Sequence, residues 1–235
     1  MEKKELMYEG KAKIIFKTAD EDKVIVKFKD TATAFDGKKK GEIEEKGLLN
    51  AAISAIFFKL LEEKGIPTHF VELITVDEML ARKVEIIPIE VVVRNIAAGS
   101  LVRRLGFPEG EALEHPILEF YFKDDDLGDP LMNEYHIFGK KLATAEELEV
   151  IKKMAFEINE VLIAFLKEKG IELVDFKLEF GRDDNGKIYL ADEISPDTCR
   201  FWDSETNEVL DKDRFRKDMG NVEEAYREVL ARLQD

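Results

Sequence analysis

The chain has 235 residues, of which 45% are hydrophobic and 37% are charged, so the sequence predicts a folded protein with one large domain or two small lobes. Its formal net charge of −15 argues against nucleic acid and membranes as partners, because an acidic surface repels phosphate backbones and anionic lipid. A single cysteine excludes an intramolecular disulfide, and the absence of a signal peptide or of an apolar run of about 18 residues leads us to expect a cytoplasmic protein.

The first third of the chain predicts strands followed by a helix. Residues 7–16 form two predicted strands that turn at Gly10, and the alternation over residues 24–28 indicates a third, half-buried strand. Together these strands indicate an antiparallel meander. Apolar residues at helical spacing predict a helix over residues 48–64, which ends at Gly65.

The middle of the chain is less regular. Strands are predicted over residues 70–73 and 84–94, and Pro88 in the second favours either an edge position or a bulge. A short helix is predicted over residues 101–105. The segment 107–139 is rich in Asp, Pro and Gly and is predicted to be irregular; loops of this length are usually functional or disordered, so a lid and a packed loop are both open.

The last part of the chain returns to clear patterns. Thr144 and Glu147 predict a capping box at the start of a long helix that ends at Gly170. Strands are predicted over residues 173–180 and 187–193 with a hairpin at Asn185-Gly186, and a final helix over residues 222–233. Strands, a helix and strands again predict an α+β fold with antiparallel sheets rather than a doubly wound parallel sheet.

The predicted strand over residues 173–180 alternates strictly. Asp175, Lys177 and Glu179 fall on one face, and four apolar side chains, Val174 among them, fall on the other. Two carboxylates beside a lysine can hold Mg²⁺ and a phosphate together, since Mg²⁺ prefers oxygen ligands and takes only one or two protein carboxylates. The alternative is the solvated face of an ordinary amphipathic strand.

Further candidates follow in the next hairpin. The hairpin brings Asp192 near the preceding strand, where it could supply a second metal carboxylate, and Arg200 could bind a phosphate or a carboxylate. A structural turn is the alternative. The cysteine, Cys199, is either a small packing residue or a reactive thiol.

Two earlier segments could bind anions. Arg94 ends a predicted strand and Ser100 precedes a short helix, a pattern that can cradle an anion or can be a cap with a salt-bridged arginine. Gly10 permits a close backbone turn, and Lys11 and Lys13 share a face, although the GxxxxGK[ST] spacing of a P-loop is absent and an exposed hairpin is the alternative.

Two other features carry less information. The polar segment 30–36, which includes Asp36, could face a ligand or form a plain loop. The three histidines are scattered and do not form a zinc pattern.

Four of these segments, in this order and spacing, resemble the SAICAR synthetase family: YEGKAK at residues 8–13, PIEVVVR at 88–94 followed by Gly99-Ser100, LVDFKLEFG at 173–181, and DEISPDTCR at 192–200. The resemblance runs from about residue 6 to the end of the chain. It implies two α+β lobes, residues 1–83 and 84–235, with a nucleotide cleft between them similar to that of kinases and ATP-grasp enzymes. It also implies a homodimer.

The resemblance further implies a reaction: ATP, L-aspartate and CAIR, the 4-carboxylate of 5-aminoimidazole ribotide, give ADP, phosphate and SAICAR. An acyl phosphate on the CAIR carboxylate would be the intermediate. A kinase and a nucleotide-sensing module are the rival functions. The sequence lacks the H-R-D-x-x-x-x-N and D-F-G motifs, which counts against a protein kinase.

Roles for single residues are likewise implied by the resemblance. The residues expected to bind ATP are Gly10, Lys11, Ala12 and Lys13 at the phosphates, and Arg82 and Val84 in an inter-lobe hinge over residues 82–86. Glu179 and Asp192 would hold Mg²⁺ and, with Lys177, would be catalytic. The residues expected to hold CAIR or a substrate carboxylate are Asp36, Arg94, Ser100, Asp175, Lys177 and Arg200. The sequence does not identify a general base for the aspartate amine.

Overall fold

The computed structural model describes residues 2–34 and 38–235 of the chain. The predicted ligand residue Asp36 lies outside the described residues. The strands form two antiparallel sheets of five and six strands and a separate two-stranded hairpin, and helices cover the sheets. The predicted α+β class is confirmed.

The first sheet and its helix come from the first 82 residues. The elements in chain order are β1 (Leu6–Glu9), β2 (Lys13–Lys17), β3 (Lys23–Phe28), β4 (Thr31–Ala34), β5 (Lys39–Glu42), α1 (Lys46–Glu63), β6 (Phe70–Leu73) and β7 (Glu78–Arg82). The sheet order is β1-β2-β3-β7-β6, and β4 pairs only with β5. The predicted meander and the predicted helix are confirmed. Strand β7 was missed, because Met79, Leu80 and Ala81 are all buried and give no alternation.

The second sheet comes from residues 85–203. The remaining elements are β8 (Glu85–Ile96), α2 (Ser100–Leu105), β9 (Ala112–Phe122), β10 (Leu131–Met132), α3 (Glu134–Gly139), α4 (Ala145–Glu168), β11 (Ile171–Arg182), β12 (Ile188–Ala191), β13 (Cys199–Asp203), α5 (Asp213–Arg216) and α6 (Val222–Gln234). The sheet order is β10-β9-β8-β11-β12, and β13 pairs with the first half of β11.

The prediction that residues 107–139 are irregular is wrong. The segment contains β9, a 3-10 turn at Asp125–Leu127, β10 and α3. Within β9, Glu119 and Tyr121 alternate with apolar neighbours, the pattern of a half-buried strand. Pro116 and the charged residues around it concealed that pattern.

Pro88 marks a bulge in an interior strand. Strand β8 pairs with both β9 and β11, so the predicted edge position is wrong. Its register against β11 shifts between Glu179, opposite Glu90, and Gly181, opposite Ile86, so the predicted bulge is confirmed. The extra residues accommodate a proline that has no N–H for the ladder.

Helix α4 packs on one face of the second sheet through its apolar stripe, which includes Ile151, Ile158 and Leu162. The predicted capping box is present: Thr144 Oγ1 accepts the Glu147 N–H at 3.2 Å, and Glu147 Oε2 accepts the Thr144 N–H at 2.8 Å.

One continuous apolar core joins the two sheets, with Phe57 of α1 against Phe165 of α4. Helix α6 packs against α1. Across residues 2–34 and 38–235, no helix is long and apolar enough to cross a membrane.

Candidate active site

The face of the second sheet that points away from α4 carries several of the predicted site residues. Strands β8, β11 and β13 pair so that Arg94, Asp175 and Arg200 lie side by side. Lys177 and Glu179 follow on the same face of β11, because alternate residues of a strand share a face. We call this surface the polar face. The order of paired residues, which the sequence alone did not reveal, is what gathers these groups.

The prediction that Val174 shares a face with Phe176 is wrong. The register of β11 against β13 shifts between Leu173 and Asp175, so that Leu173 joins the main core. Val174 packs instead with Ile96 in a small separate cluster. Because of this bulge, Asp175 lies on the polar face, and the residue before it that belongs to the main core is Leu173 and not Val174.

Arg94 is held on all sides by protein groups and is almost fully buried. Its Nε donates to Glu119 Oε2 at 2.7 Å and its Nη1 to Asp175 Oδ2 at 2.7 Å. Its Nη2 donates to Ser100 Oγ at 2.8 Å and to Tyr121 Oη at 3.2 Å. Four of the five guanidinium N–H groups are thus used within the described residues.

Arg200 shares Asp175 with Arg94. Its Nη1 donates to Asp175 Oδ2 at 2.8 Å, and its Nε donates to Asp213 Oδ2 at 3.1 Å. Burial alone would lower the pKa of Arg200, but the two carboxylates raise it, so the guanidinium stays charged. Gly99 permits this packing: a Cβ there would lie 2.5 Å from Arg200 Nη2, and its φ of +57° is left-handed.

A cavity of about 220 Å³ opens at the end of the polar face. Its charged lining residues are Arg94, Lys177, Arg200, Arg216, Asp175 and Asp197. Four cations against two carboxylates suit an anionic ligand, and guanidinium groups suit phosphate or carboxylate because of their planar fork of donors.

Lys177 lies at the centre of a second group of charges, which we call the lysine–carboxylate cluster. Its Nζ is 2.6 Å from Glu179 Oε1, 3.0 Å from Glu90 Oε1 and 3.5 Å from Asp192 Oδ2. Lys123 of the following loop lies 2.8 Å from Glu179 Oε1. The predicted proximity of Asp192 to the strand of Glu179 is therefore present in the structure.

Lys13 brings the first sheet into the lysine–carboxylate cluster. It contacts Asp192 and lies 3.0 Å from Glu193 Oε1. Burial would lower the pKa of Lys13 and raise that of Asp192, but the attraction between Lys13, Lys177 and these carboxylates outweighs burial. The pKa of Lys13 is raised and that of Asp192 is lowered, so both groups are charged at neutral pH.

Asp192 follows β12 with a φ of +60°, in the left-handed region. Aspartate tolerates this conformation better than most residues, and unusual backbone angles concentrate at functional sites. The turn directs the Asp192 carboxylate toward Lys13 and Lys177.

The oxygen donors here fit a magnesium ion that is bound together with a nucleotide. In the described part of the chain, no set of three or more His, Cys, Asp or Glu side chains is arranged to hold a metal. A nucleotide-bound Mg²⁺ needs only one or two carboxylates, because phosphate and water fill its other positions. Glu179 and Asp192, both of which contact Lys177, supply that number.

A family profile described as SAICAR synthetase matches residues 6–233 of the chain. The chain belongs to the SAICAR synthetase family. The predicted family is thereby confirmed.

Relatives match over nearly their whole length. A phosphoribosylaminoimidazole-succinocarboxamide synthase of Coprothermobacter proteolyticus is 62% identical, with 99% of each chain covered. The crystal structure of the enzyme of that name from Ehrlichia chaffeensis has a TM-score of 0.96 at 51% identity, with 98% of each chain covered. A SAICAR synthetase in complex with ADP has a TM-score of 0.94 at 53% identity, with 97% of each chain covered.

Not every residue that the family resemblance assigned to a ligand lies in the lysine–carboxylate cluster. Lys11 is exposed and pairs with Asp125 Oδ1 at 2.7 Å. The Gly10 N–H donates to the Lys13 carbonyl, and the Ala12 carbonyl accepts from the Lys29 N–H, both at 2.8 Å. This turn therefore positions Lys13 and leaves Lys11 at the rim.

Arg82 and Val84 lie where the chain passes from the first sheet to the second. The Arg82 N–H donates to the His69 carbonyl at 2.6 Å, and its guanidinium lies 5.0 Å from the centre of the Tyr189 ring. Val84 packs against the backbone of Gly181, where a Cβ would lie 2.5 Å from Val84 Cγ2.

Several charged residues of the site were not predicted as ligand residues. Glu193 lies within the motif DEISPDTCR at residues 192–200, but no ligand was predicted for it. Lys123 was missed because β9 was missed; the alternation that leads from Glu119 to Lys123 is the signal that could have found it. Arg216 had no sequence signal, because only the fold brings α5 to the cavity.

The two readings of Cys199 are decided by its burial. The side chain is buried in the core, and burial raises the pKa of its thiol. The reactive-thiol alternative is not supported, and Cys199 is a packing residue.

Proposed function

We propose that this chain joins L-aspartate to the carboxylate of CAIR with consumption of ATP, to give SAICAR, ADP and phosphate. Support comes from family membership and from the names of full-length relatives, one of which was solved with ADP. The structural observation that carries the proposal is the cationic cavity beside the lysine–carboxylate cluster on one polar face.

Charge explains why such a face is needed. All three reactants are anionic and the chain itself carries a net charge of −15. Binding therefore depends on cations gathered locally, with Arg94 and Arg200 at the cavity and Lys13, Lys123 and Lys177 at the cluster. Preorganised charges of this kind stabilise developing negative charge more strongly than water does, because they need no reorganisation during the reaction.

The proposed chemistry has two steps. A CAIR carboxylate oxygen attacks the γ-phosphorus of ATP, and the bond to the β-phosphate oxygen breaks with its electron pair leaving on ADP. The aspartate amine then attacks the carbon of this acyl phosphate, and the bond from carbon to the phosphate oxygen breaks. Phosphate leaves, and the amine proton passes to phosphate or to a carboxylate of the site.

The residues of the lysine–carboxylate cluster orient the reacting groups and neutralise the charge of the phosphates. Lys177 steadies the oxygens of the transferring group, and Lys13 neutralises charge from the first sheet. Glu179 and Asp192 would hold Mg²⁺, which when bound neutralises phosphate charge.

The binding regions are proposed to follow the family pattern. ATP would lie in the cleft between a lobe of residues 1–83 and the rest of the chain, with Gly10, Lys11, Ala12 and Lys13 at its phosphates and the hinge that contains Arg82 and Val84 beside its adenine. A lobe of residues 84–235 would bind CAIR and aspartate, through Arg94, Ser100, Asp175, Lys177 and Arg200. Asp36 is also proposed to contact CAIR. A homodimer in the cytoplasm is proposed on the same grounds.

A coupled ADP-release assay tests the proposal. Purified protein with ATP, Mg²⁺ and CAIR is assayed with and without L-aspartate, and SAICAR is followed by its absorbance. ADP and SAICAR formed in equal amounts only with aspartate support the ligase. Sustained ADP release with a phosphorylated product and no aspartate requirement supports a kinase, and ATP binding without turnover supports a nucleotide-sensing module.

A further inference from the structure

Asp213 lies behind the wall of the cavity and binds two arginines at once. It is only 4% exposed. Arg200 Nε donates to its Oδ2 at 3.1 Å, and Arg216 Nη1 donates to its Oδ1 at 2.6 Å. Both arginines line the cavity, whereas Asp213 does not. Each carboxylate oxygen is thus already used by one arginine.

The two arginines come from different elements, β13 and α5. Asp211, which is fully buried, links these elements through backbone groups. Its Oδ2 accepts the Phe201 N–H at 2.9 Å, and its Oδ1 accepts the Asp213 N–H at 2.7 Å. Two neighbouring buried carboxylates, Asp211 and Asp213, therefore join α5 to β13 and help to set the spacing between Arg200 and Arg216.

Two guanidinium groups on one cavity wall repel each other unless an anion lies between them. The carboxylate of Asp213 supplies that charge from outside the cavity lining, while both arginines contribute to the lining. Burial would raise the pKa of Asp213, but Arg200 and Arg216 lower it to about 2, so this carboxylate is ionised throughout the neutral range.

We propose that Asp213 is a positioning residue that holds Arg200 and Arg216 side by side as one receptor for the phosphate monoester of the ribotide substrate, with Asp211 fixing the position of Asp213. The proposal rests on the proposed function for the identity of that substrate. It assigns no contact between Asp213 and substrate.

Asp213→Asn tests the proposal, because the amide keeps one acceptor oxygen and turns an NH₂ group toward an arginine. The KM for CAIR is expected to rise about tenfold or more, the cost of a charge-assisted hydrogen bond. The KM for ATP and kcat are expected to stay within about twofold. Asp203→Asn is the matched control, because Asp203 is also on β13 and binds Arg232 at 2.8 Å, away from the cavity.

A binding measurement separates this proposal from the proposed reaction. Ribose 5-phosphate is titrated by calorimetry into wild type, Asp213→Asn and Arg216→Gln, with succinate as a dicarboxylate probe. Each variant is expected to weaken ribose 5-phosphate binding about tenfold, and the double variant to lose little more than either single one. Weakened ribose 5-phosphate binding in an enzyme that fails to make SAICAR would refute the proposed function and still support this inference.

Three results would overturn the inference. One is unchanged ribose 5-phosphate affinity in Arg216→Gln, a test that applies even if Asp213→Asn does not fold. Another is a double variant whose losses multiply, since independent residues add their free energies. The third is a loss for succinate equal to that for ribose 5-phosphate, which would show a receptor without preference for phosphate.

Discussion

At the scale of single residues, Gly99 shows how a backbone position sets the place of a functional side chain. Alanine there meets two costs, a positive φ and a Cβ 2.5 Å from Arg200 Nη2. The combination of φ +57° and ψ −122° lies outside the left-handed helical region, and such sparsely populated backbone conformations cost a residue with a Cβ on the order of 1–3 kcal/mol of stability. We expect Gly99→Ala to show that loss and also to raise the KM for CAIR several-fold, because the Arg200 guanidinium must move.

Gly65→Ala is the control for this substitution. Gly65 has a φ of +83°, and no atom lies within 4 Å of the point that a Cβ would occupy, so this variant has the cost of a positive φ without a steric contact. Urea unfolding and steady-state kinetics on both variants separate the two effects. A Gly65→Ala variant whose KM for CAIR also rises would mean that lost stability, and not the position of Arg200, explains the change.

Glu179 is the residue on which the metal assignment most depends. Glu179→Gln removes the negative charge but keeps the shape, and we expect turnover to fall by at least about 100-fold at low Mg²⁺, the scale seen when a stabilising group is removed from a reaction site. Glu172→Gln, on the same strand but exposed, should leave turnover unchanged. Near-normal activity of Glu179→Gln at low Mg²⁺ would rule out the carboxylate as a metal ligand.

A substitution at Arg94 should affect the binding of CAIR much more than the binding of ATP. Lysine in its place has three donors on one nitrogen and cannot reach Glu119, Asp175 and Ser100 together. We expect Arg94→Lys to weaken CAIR binding by roughly tenfold or more while ATP affinity changes by less than about twofold. Calorimetric titration with each ligand measures both, and equal losses would contradict the placement of Arg94 beside CAIR.

At the scale of elements, the charged side of β11 was predictable and its neighbours were not. Strict alternation placed Asp175, Lys177 and Glu179 together, because the strand repeat is two residues and needs no tertiary information. Their pairing with Arg94 and Arg200 depends on the register of three strands that are distant in sequence, and that register is fixed by packing.

The missed strands have a physical explanation as well. Strand β7 is buried on both sides and carries no alternation, so its apolar run does not distinguish a strand from a helix. Strand β9 contains Pro116 and several charges, which lower strand propensity although tertiary pairing with β8 overrides it. The loss of β9 from the prediction removed Lys123 from the predicted site.

Helix α4 tests whether the stability of the fold can be changed without changing the activity of the site. Thr144→Ala removes the side-chain acceptor of the capping box, and we expect a loss of about 1 kcal/mol in the free energy of unfolding. Thr144→Ser keeps the hydroxyl and should restore it. Because α4 packs on the face opposite the polar face, kcat should be unchanged in both variants. A fall in kcat for Thr144→Ala alone would show that the helix and the site are coupled.

At the scale of the whole molecule, charge is unevenly distributed. The chain carries a net charge of −15, while the cavity is lined by four cations and two carboxylates. The buried carboxylates Asp175 and Asp213 let these cations lie close together without leaving an unpaired charge inside the protein. An acidic protein can therefore present a cationic site to anionic reactants, because the cations that line the cavity outnumber its carboxylates and Asp213 adds a compensating charge outside the lining.

The buried carboxylate Asp211 connects this arrangement to global stability. Burial and the charge of Asp213 raise the pKa of Asp211 from 3.8 to about 7, although the Asp213 N–H and the charges of Arg200 and Arg216 oppose them. Between these pH values the folded protein keeps a proton that the unfolded chain has released. The free energy of unfolding due to Asp211 therefore falls as pH rises from about 4 to about 7 and is flat above that, with a total on the order of 4 kcal/mol.

Asp211→Asn removes this titration, so urea unfolding of wild type and variant at several pH values measures it. The difference in unfolding free energy, wild type minus variant, should fall steadily from about pH 5 to about pH 7 and level off above that. His69, whose pKa burial lowers to about 4, makes stability rise with pH below its usual value of 6.5, but it is present in both proteins and cancels in the difference. Parallel curves would mean that Asp211 is ionised across the range, and that its two backbone hydrogen bonds outweigh the cost of its burial.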